Sequence, residues 1–335
     1  MGRLGLIQAG VGGHGKAWFG PVANSGDFHL LAIADPAPDA LRQAGEALGI
    51  PPDRRFLELR EALDTLRPDA VLSVTPPRVH VEHARLTLPR GIHLLVEKPL
   101  AHDPAGAREM EHLSRNYGAQ LAVAQNYRFS PPVRTLHRLL RDRPPGTLTH
   151  GTIEFFIPAD FSGTFRASMD HPLLVDMAIH HVDMLRYLTG ADVVQVRARE
   201  SNPPGSWFRT GAILHLFLSL SDGSLWSYAG DWTARGKCTP WNGNWRFQFT
   251  GGSVHLVDDR IELHTCEPWM NNPRSESIPV DPYPADGKIE LLAQFAQAIR
   301  TGTRASTDVS DNIRSFEAIM AAVSSADRDG EPVLL

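Results

Sequence analysis

The first third of the chain repeats one pattern: a short, mostly apolar run, then a helix-like stretch. The runs are LGLIQA (4–9), HLLAIA (29–34), DAVLSV (69–74), IHLLVE (92–97) and QLAVAQ (120–125). Each is too short for a core helix and lacks the strict alternation of a half-buried strand. Each therefore reads as a strand covered on both faces. Segments such as DALRQAGEALG and VHVEHARLTLPRG separate them. Strands that alternate with helices specify a doubly wound, parallel α/β sheet, expected here over 1–124.

From 125 onward the pattern changes. A helix is expected near 131–142, capped by Ser130 and two prolines, followed by a strand in THGTIEFFIP and a long helix over roughly 172–189. Two hairpin signals come next: Asp222-Gly223 between apolar-rich runs, and Gly251-Gly252 within WRFQFTGGSVHLV. SNPPGS (201–206) reads as a loop, and helices near 288–301 and 309–326 close the chain. The expectation for 125–335 is an α+β domain that binds substrate and self-associates. Its sheet should be large, mostly antiparallel and open on one face. A chain of 335 residues has room for both domains and their cores.

Composition excludes several roles. Net charge is −5 with no basic block, which argues against nucleic acid or an anionic membrane as the main partner. No apolar run approaches the ~20 residues of a membrane span. The apolar run begins by Leu4, which leaves no room for a secretory signal. The two cysteines, Cys238 and Cys266, are too few for a disulfide framework, so a reducing cytoplasm is expected. None of the 15 histidines stands in a Cys/His ligand spacing, and H-E-x-x-H is absent, so no metal is expected.

Gly10, Gly12 and Gly15 follow the first strand and open a helix-like stretch, with Gly13 and His14 inside the loop. Gly10 permits the tight turn, Gly12 lets backbone approach a pyrophosphate, and Gly15 allows close packing of helix on strand. The helix N-terminus offers free N–H groups to the phosphates. Asp35 ends the second run, 20 residues after Gly15, where a carboxylate accepts both ribose hydroxyls and repels a 2′-phosphate. A Rossmann dinucleotide-binding domain is expected, with NAD favoured. Arg42 is near enough to keep NADP open.

Ligands of open α/β sheets lie beyond the carboxyl ends of strands. Two further ends carry unusual chemistry: Thr75-Pro76-Pro77 with His80 nearby, and Glu97-Lys98-Pro99. Thr75, Pro76, His80, Glu97 and Lys98 are therefore cofactor candidates. Pro99 holds Lys98 out of helical geometry.

AGVGGHG, AD at 34–35, TPPRVH at 75–80, EKPL at 97–100 and NYRFSP at 126–131 carry a resemblance. In order and spacing they are similar to the Gfo/Idh/MocA oxidoreductases over nearly the whole chain. That family includes glucose–fructose oxidoreductase, inositol dehydrogenase and many sugar and polyol dehydrogenases. The closing segment LLAQFAQAIRTGTRASTDVSDNIRSFEAIMAAVSSADRDGEPV also resembles the family's last helices. The resemblance implies a cis Lys98–Pro99 bond.

In HPLLVDMAIHHVDMLRYLTG (171–190), a step of about 100° per residue groups Asp176, His180, Asp183 and Tyr187 on one stripe. By resemblance, the pattern D-x-x-x-H-x-x-D presents Asp176 and His180 to substrate, with Asp183 one turn on. His181 falls among apolar residues and reads as a core or interface histidine with a hydrogen-bond partner. FRASMDHPLLVD replaces the family's usual glycine-rich stretch and should change the floor of the substrate pocket.

The expected reaction is reversible hydride transfer between a secondary alcohol of a sugar, polyol or sugar derivative and nicotinamide. His180 would take the hydroxyl proton, Asp176 would orient it or bind a neighbouring hydroxyl, and Lys98 would stabilise the alkoxide. Asn126, Arg128, Arg166 and Asp183 are substrate candidates, although Arg128 fits a structural ion pair equally well. Three alternatives stay open: a nicotinamide-binding sensor without turnover, an enzyme with tightly bound, recycled NAD that catalyses elimination, hydrolysis or epimerisation, and reduction of a non-sugar substrate. AILHLFLSL, LWSYAGDW and seven tryptophans suggest an apolar face covered in a homodimer or homotetramer.

Overall fold

The computed structural model describes residues 2–267, 269–285 and 287–335. The first sheet has six strands: β1 (Leu4–Ala9), β2 (Phe28–Ala34), β3 (Arg55–Phe56), β4 (Ala70–Ser73), β5 (His93–Val96) and β6 (Leu121–Val123). All pair in parallel, in the order β3-β2-β1-β4-β5-β6. This is the doubly wound order in which a dinucleotide lies at the reversal between β1 and β4. Five of these strands coincide with the apolar runs. The two-residue β3 has no such run and escapes a periodicity argument.

The helices between them are α1 (Phe19–Ala23), α2 (Pro38–Leu48), α3 (Leu59–Thr65), α4 (Pro77–Thr87) and α5 (Pro104–Tyr117). Proline opens α2, α4 and α5, where its missing N–H costs nothing. Asp103 caps α5 by accepting from the Gly106 N–H at 2.8 Å. The stretch after the glycine loop differs from the expected α-helix: Gly13–Trp18 is 3₁₀, and only then does α1 begin.

Further along lie α6 (Pro131–Asp142), β7 (Leu148–Phe156), α7 (Phe165–Ser168) and α8 (Ile179–Thr189). Strands β8 (Val193–Ser201), β9 (Ile213–Leu220), β10 (Leu225–Asp231), β11 (Asn244–Phe249), β12 (Gly252–Val257), β13 (Arg260–Thr265) and β14 (Arg274–Ile278) follow. Helices α9 (Gly287–Thr301) and α10 (Val309–Asp327) and the short β15 (Val333–Leu334) complete the chain. The second sheet runs β14-β13-β12-β11-β7-β10-β9-β8-β15. Every neighbouring pair is antiparallel except β7 with β10. Both expected hairpins form, β9 to β10 and β11 to β12. Ser130 precedes α6 without capping it; its hydroxyl donates to Asn242 Oδ1 at 3.2 Å instead.

The described chain divides into two compact units. One comprises 1–129 with 285–313, the other 130–284 with 314–335. Sequence reasoning placed everything from 125 onward in one domain. The structure instead gives α9 to the nucleotide-type unit, because its apolar face completes that unit's core. Leu291, Leu292, Phe295 and Ala296 pack with Leu6, Phe28, Leu72 and Leu95.

The core of the second unit combines aliphatic side chains with a cluster of large aromatic ones. Trp226, Tyr228, Trp245 and Phe247 are buried on one face of the sheet, and Trp245 stacks on Phe247 at 5.8 Å. Both cysteines are free. No described helix is long and apolar enough to cross a membrane.

Candidate active site

In the first unit the glycine loop is built as the spacing demands. Gly10 has φ +86°, and a β-carbon there would lie 2.3 Å from the Val74 carbonyl oxygen. At Gly15 it would lie 2.4 Å from the carbonyl oxygen of Gly10. Gly12 and Gly13 are different. A β-carbon meets nothing nearer than 3.8 Å at Gly12 and nothing within 4 Å at Gly13, so the outer side of the loop is bare backbone. Asp35 Oδ2 accepts from the N–H groups of Val11 (2.9 Å) and Gly12 (3.2 Å), and Oδ1 from Ala37 (2.9 Å). The carboxylate thus fixes the loop and keeps one lone pair, on Oδ1, for a further donor. Arg42 is held on α2 by Asp39 and Glu46. The glycine cradle, the strand-end carboxylate and the strand order fit a dinucleotide.

One loop anchor was missed. Gln8 is buried in β1, and its Nε2 donates to the carbonyls of Gly10 (3.0 Å) and Gly15 (2.9 Å). Its signal was present in the sequence, as a lone amide in an apolar strand.

The Thr75-Pro76 corner is pegged from beneath. His80 is fully buried, with Nε2 3.0 Å from the Thr75 carbonyl and Nδ1 3.1 Å from that of Leu100. Burial pulls its pKa down, against those carbonyls. His83 Nδ1 reaches Ser73 Oγ at 2.8 Å, and Ser73 in turn reaches Thr75 Oγ1 at 2.9 Å. His80, expected at the cofactor, is therefore a buried support for the corner; α4 starts at Pro77, which turns its ring inward.

Glu97 is the centre of a charge cluster. It is 6% exposed, accepts from Trp18 Nε1 at 2.7 Å, lies 3.1 Å from His14 Nε2, and receives the backbone N–H of Lys98 at 3.1 Å. Burial alone would raise its carboxyl, but His14, Lys288 and Lys98 outweigh that and hold it at about 2. Lys288, at the start of α9, sits over the Trp18 ring at 4.8 Å. Burial lowers its pKa, Glu97 opposes that, and Lys98 adds to it. Lys288 was missed because 190 residues separate it from Lys98 and nothing local marks it. The Lys98–Pro99 bond is cis, as the family resemblance implied.

Asn126 is half-buried in a 3₁₀ turn, Asn126–Phe129. Arg128 on the same turn is 4% exposed and donates to Asp311 Oδ2 (2.6 Å) and the Ser306 carbonyl (2.7 Å). Of its two readings, the structural ion pair is the one observed.

In the second unit, the expected single helix is two pieces. Leu173–Ala178 is a π-helix, and α8 continues from Ile179. Such wide turns are rare and recur at functional sites. The wider turn changes the angular step at Asp176, so the stripe expected from α-helical periodicity is broken. Asp176 Oδ2 accepts from Arg166 Nε at 2.6 Å, and the guanidinium stands over Phe161 (4.9 Å) and Phe165 (4.8 Å). Two predicted site residues are thereby joined. His180 is 5% exposed. Asp183 is buried and accepts from Ser315 Oγ of α10 at 2.9 Å. Tyr187 stacks on His137 of α6 at 4.1 Å. Both contacts tie α8 to its neighbours: the helix is covered almost all round, so polar groups along it meet the elements that cover it.

His181 matches its expectation. It is fully buried between the Tyr228 hydroxyl (3.1 Å, to Nδ1) and the Trp241 carbonyl (3.1 Å, to Nε2). A carbonyl only accepts, so Nε2 carries the proton and Tyr228 donates to Nδ1. Burial brings its pKa to about 4, although the Trp241 carbonyl opposes this.

Residues 5–125 match the family model of the Gfo/Idh/MocA oxidoreductases, with an NAD-binding Rossmann fold, and 133–255 match that of the family's C-terminal domain. The rhizopine catabolism protein MocA of Rhizobium meliloti is 26% identical over 330 residues, covering 98% of this chain and 96% of its own. D-glucoside 3-dehydrogenase of Escherichia coli (strain K12) is 29% identical over 322 residues, 83% of this chain and 90% of its own. An oxidoreductase from Agrobacterium radiobacter, solved with NAD+, L-tartaric acid and magnesium, superposes with a TM-score of 0.90 at 19% identity, over 99% of this chain and 98% of that one. That likeness bears on the fold. Matched in both of its halves, this chain belongs to the Gfo/Idh/MocA family of oxidoreductases, whose N-terminal part is an NAD-binding Rossmann fold.

Proposed function

We propose that the chain is an NAD-dependent dehydrogenase that moves a hydride between nicotinamide and a secondary alcohol of a sugar, polyol or sugar derivative. The observation that carries this reading is the first unit's pairing of a glycine cradle fixed by Asp35 with a lysine strand end anchored on the buried Glu97. The name of the glucoside dehydrogenase relative supports the substrate class.

Bound NAD supplies a hydride acceptor at C4 of its nicotinamide ring. The remaining work belongs to side chains. The hydroxyl must lose its proton as the hydride departs, and His180 is assigned as the base, since an imidazole titrates near neutrality. The ammonium of Lys98 stabilises the alkoxide and lowers the alcohol's pKa. Asp176, already paired with Arg166, offers a charged pair to neighbouring hydroxyls, and Asn126 a further amide. Asp35 favours NAD over NADP, and Arg42 is occupied by its own helix neighbours. The unpaired cysteines fit a cytoplasmic location. The exposed Phe217 and Leu225, on the outer face of β9 and β10, fit burial against a second copy.

The test is NADH absorbance at steady state with inositols, hexoses and sugar acids, each with NAD and NADP. Turnover with at least one polyol and NAD is expected. No turnover, together with NAD that copurifies and does not exchange, would replace this reading with recycled-cofactor chemistry. No turnover without bound NAD would favour a sensor.

A further inference from the structure

The β12–β13 hairpin gathers a set of side chains that the dehydrogenase reading does not use. Its two-residue turn, Asp258-Asp259, has φ +51° and +59°, the left-handed pair of a type I′ turn. That turn sets the register, with His255 opposite Glu262 and Ser253 opposite His264. Paired residues share a face, and residues two apart on a strand share it too. His255, Glu262 and His264 therefore project together from the side opposite the buried Val254 and Leu256.

One ligand atom from each of the three lies within 4.8 Å of the others, and this is the one such His/Cys/Asp/Glu group among the described residues. The imidazole centroids are 4.8 Å apart. His255 Nε2 and His264 Nε2 are both buried and have no hydrogen-bond partner. His264 Nε2 is 3.3 Å from Glu262 Oε2, at ion-pair distance but without hydrogen-bond geometry. On the far side of the ring, His264 Nδ1 lies 2.8 Å from Ser275 Oγ. A proton on Nδ1, donated to that hydroxyl, leaves the Nε2 lone pair facing the group. Metal-binding histidines usually donate their other ring N–H to an outer-shell carboxylate, carbonyl or water, and the Ser275 hydroxyl stands in that place here.

We propose that His255, Glu262 and His264 form a binding site for a divalent transition-metal ion of the zinc class. Two imidazoles and one carboxylate suit Zn²⁺, Co²⁺ or Ni²⁺, whereas Mg²⁺ and Ca²⁺ prefer all-oxygen sets. A tetrahedral ion with ligands at 2.0–2.2 Å keeps its ligand atoms about 3.4 Å apart, so side-chain rotations on the order of an ångström close the cage. Glu262 is exposed, which gives the ion an entry path and leaves the fourth position to water. The ion would clip β12 to β13 at a place where two imidazole nitrogens otherwise face each other unpaired. The histidines stand nine residues apart with no local ligand motif, so the hairpin register, not sequence spacing, brings them together.

The test uses the full chain, stripped with EDTA and dialysed against buffered Zn²⁺ at low micromolar free metal. One zinc ion per chain is expected, with a rise in melting temperature. His255→Ala and His264→Ala should each weaken binding at least 10-fold and remove the thermal shift. Ser275→Ala should weaken binding about 10-fold through its contact with the ring. Far-UV circular dichroism of the metal-free variants separates lost binding from lost fold, and Co²⁺ in place of Zn²⁺ should give the visible bands of a tetrahedral site. Equal zinc affinity in the His255→Ala/His264→Ala double variant, or no retained zinc in the parent chain, overturns the proposal.

Discussion

Trp18 Nε1 donates to Glu97 Oε1 across 2.7 Å, joining the helical stretch after the glycine loop to the strand end that carries Lys98. The same carboxylate meets His14 and the Lys98 N–H. A single buried acid thus ties the glycine loop and the turn after it to the lysine.

Glu97→Gln should destabilise the protein by roughly 2–4 kcal/mol, because removing one member of a buried charged network leaves the others uncompensated. A folded-state pKa near 2, against an ordinary 4.5, contributes stability that is complete above about pH 4.5 and fades as pH falls toward 2. Urea titrations from pH 5 to pH 2.5 should show a shallower decline for the variant than for the parent chain.

The glycines should separate by role. Gly10→Ala places a β-carbon 2.3 Å from a backbone oxygen at a φ of +86°, so both melting temperature and NADH binding should collapse. Gly12→Ala meets nothing nearer than 3.8 Å and should fold normally while losing NADH affinity at least 10-fold. Fluorescence titration alongside melting curves reads both effects, and equal NADH affinity in Gly12→Ala would remove that glycine from the cofactor surface.

Lys98→Met and His180→Ala should each lower kcat by 10³ or more, with NADH affinity changed only a few-fold. Stopped-flow hydride transfer measures the step directly. Near-parental rates in either variant would strike that residue from the mechanism.

Arg128→Met tests the structural reading of that residue. Loss of its contacts with Asp311 and Ser306 should cost on the order of 3 kcal/mol in urea denaturation, with KM for the sugar unchanged. A raised KM at unchanged stability would return Arg128 to the substrate.

Stability should also fall as pH drops from about 6.5 to 4. His181 and His83 both have folded pKa values of about 4, so across that window the unfolded chain binds the extra protons. Their stabilising contribution is complete above 6.5 and is lost as pH passes 4. His181→Gln should flatten the slope of urea midpoint against pH between 7 and 4.5.

Much of the fold was legible because it rests on local signals. Apolar runs marked β1, β2, β4, β5 and β6, glycines marked the loop and two hairpins, and Asp35 sat where the spacing put it. The site was harder. Lys98 and Asp35 are marked by strand ends, but Lys288 reaches Glu97 only through α9. The contacts of Asp183 with Ser315 and of Tyr187 with His137 were not legible, because periodicity assumes one covered face and α8 is covered nearly all round. The π-turn at Asp176 has no residue signature, and His255 and His264 share a face only through a turn of two aspartates.

The place of α9 bears on how the protein is made. Phe295 stacks near Phe28 at 6.1 Å, yet Phe28 leaves the ribosome hundreds of residues earlier. During synthesis, Phe28 and its neighbours lack this cover until Phe295 has been translated. Residues 1–124 expressed alone should therefore clump, and supplying 285–313 in trans should bring them back into solution.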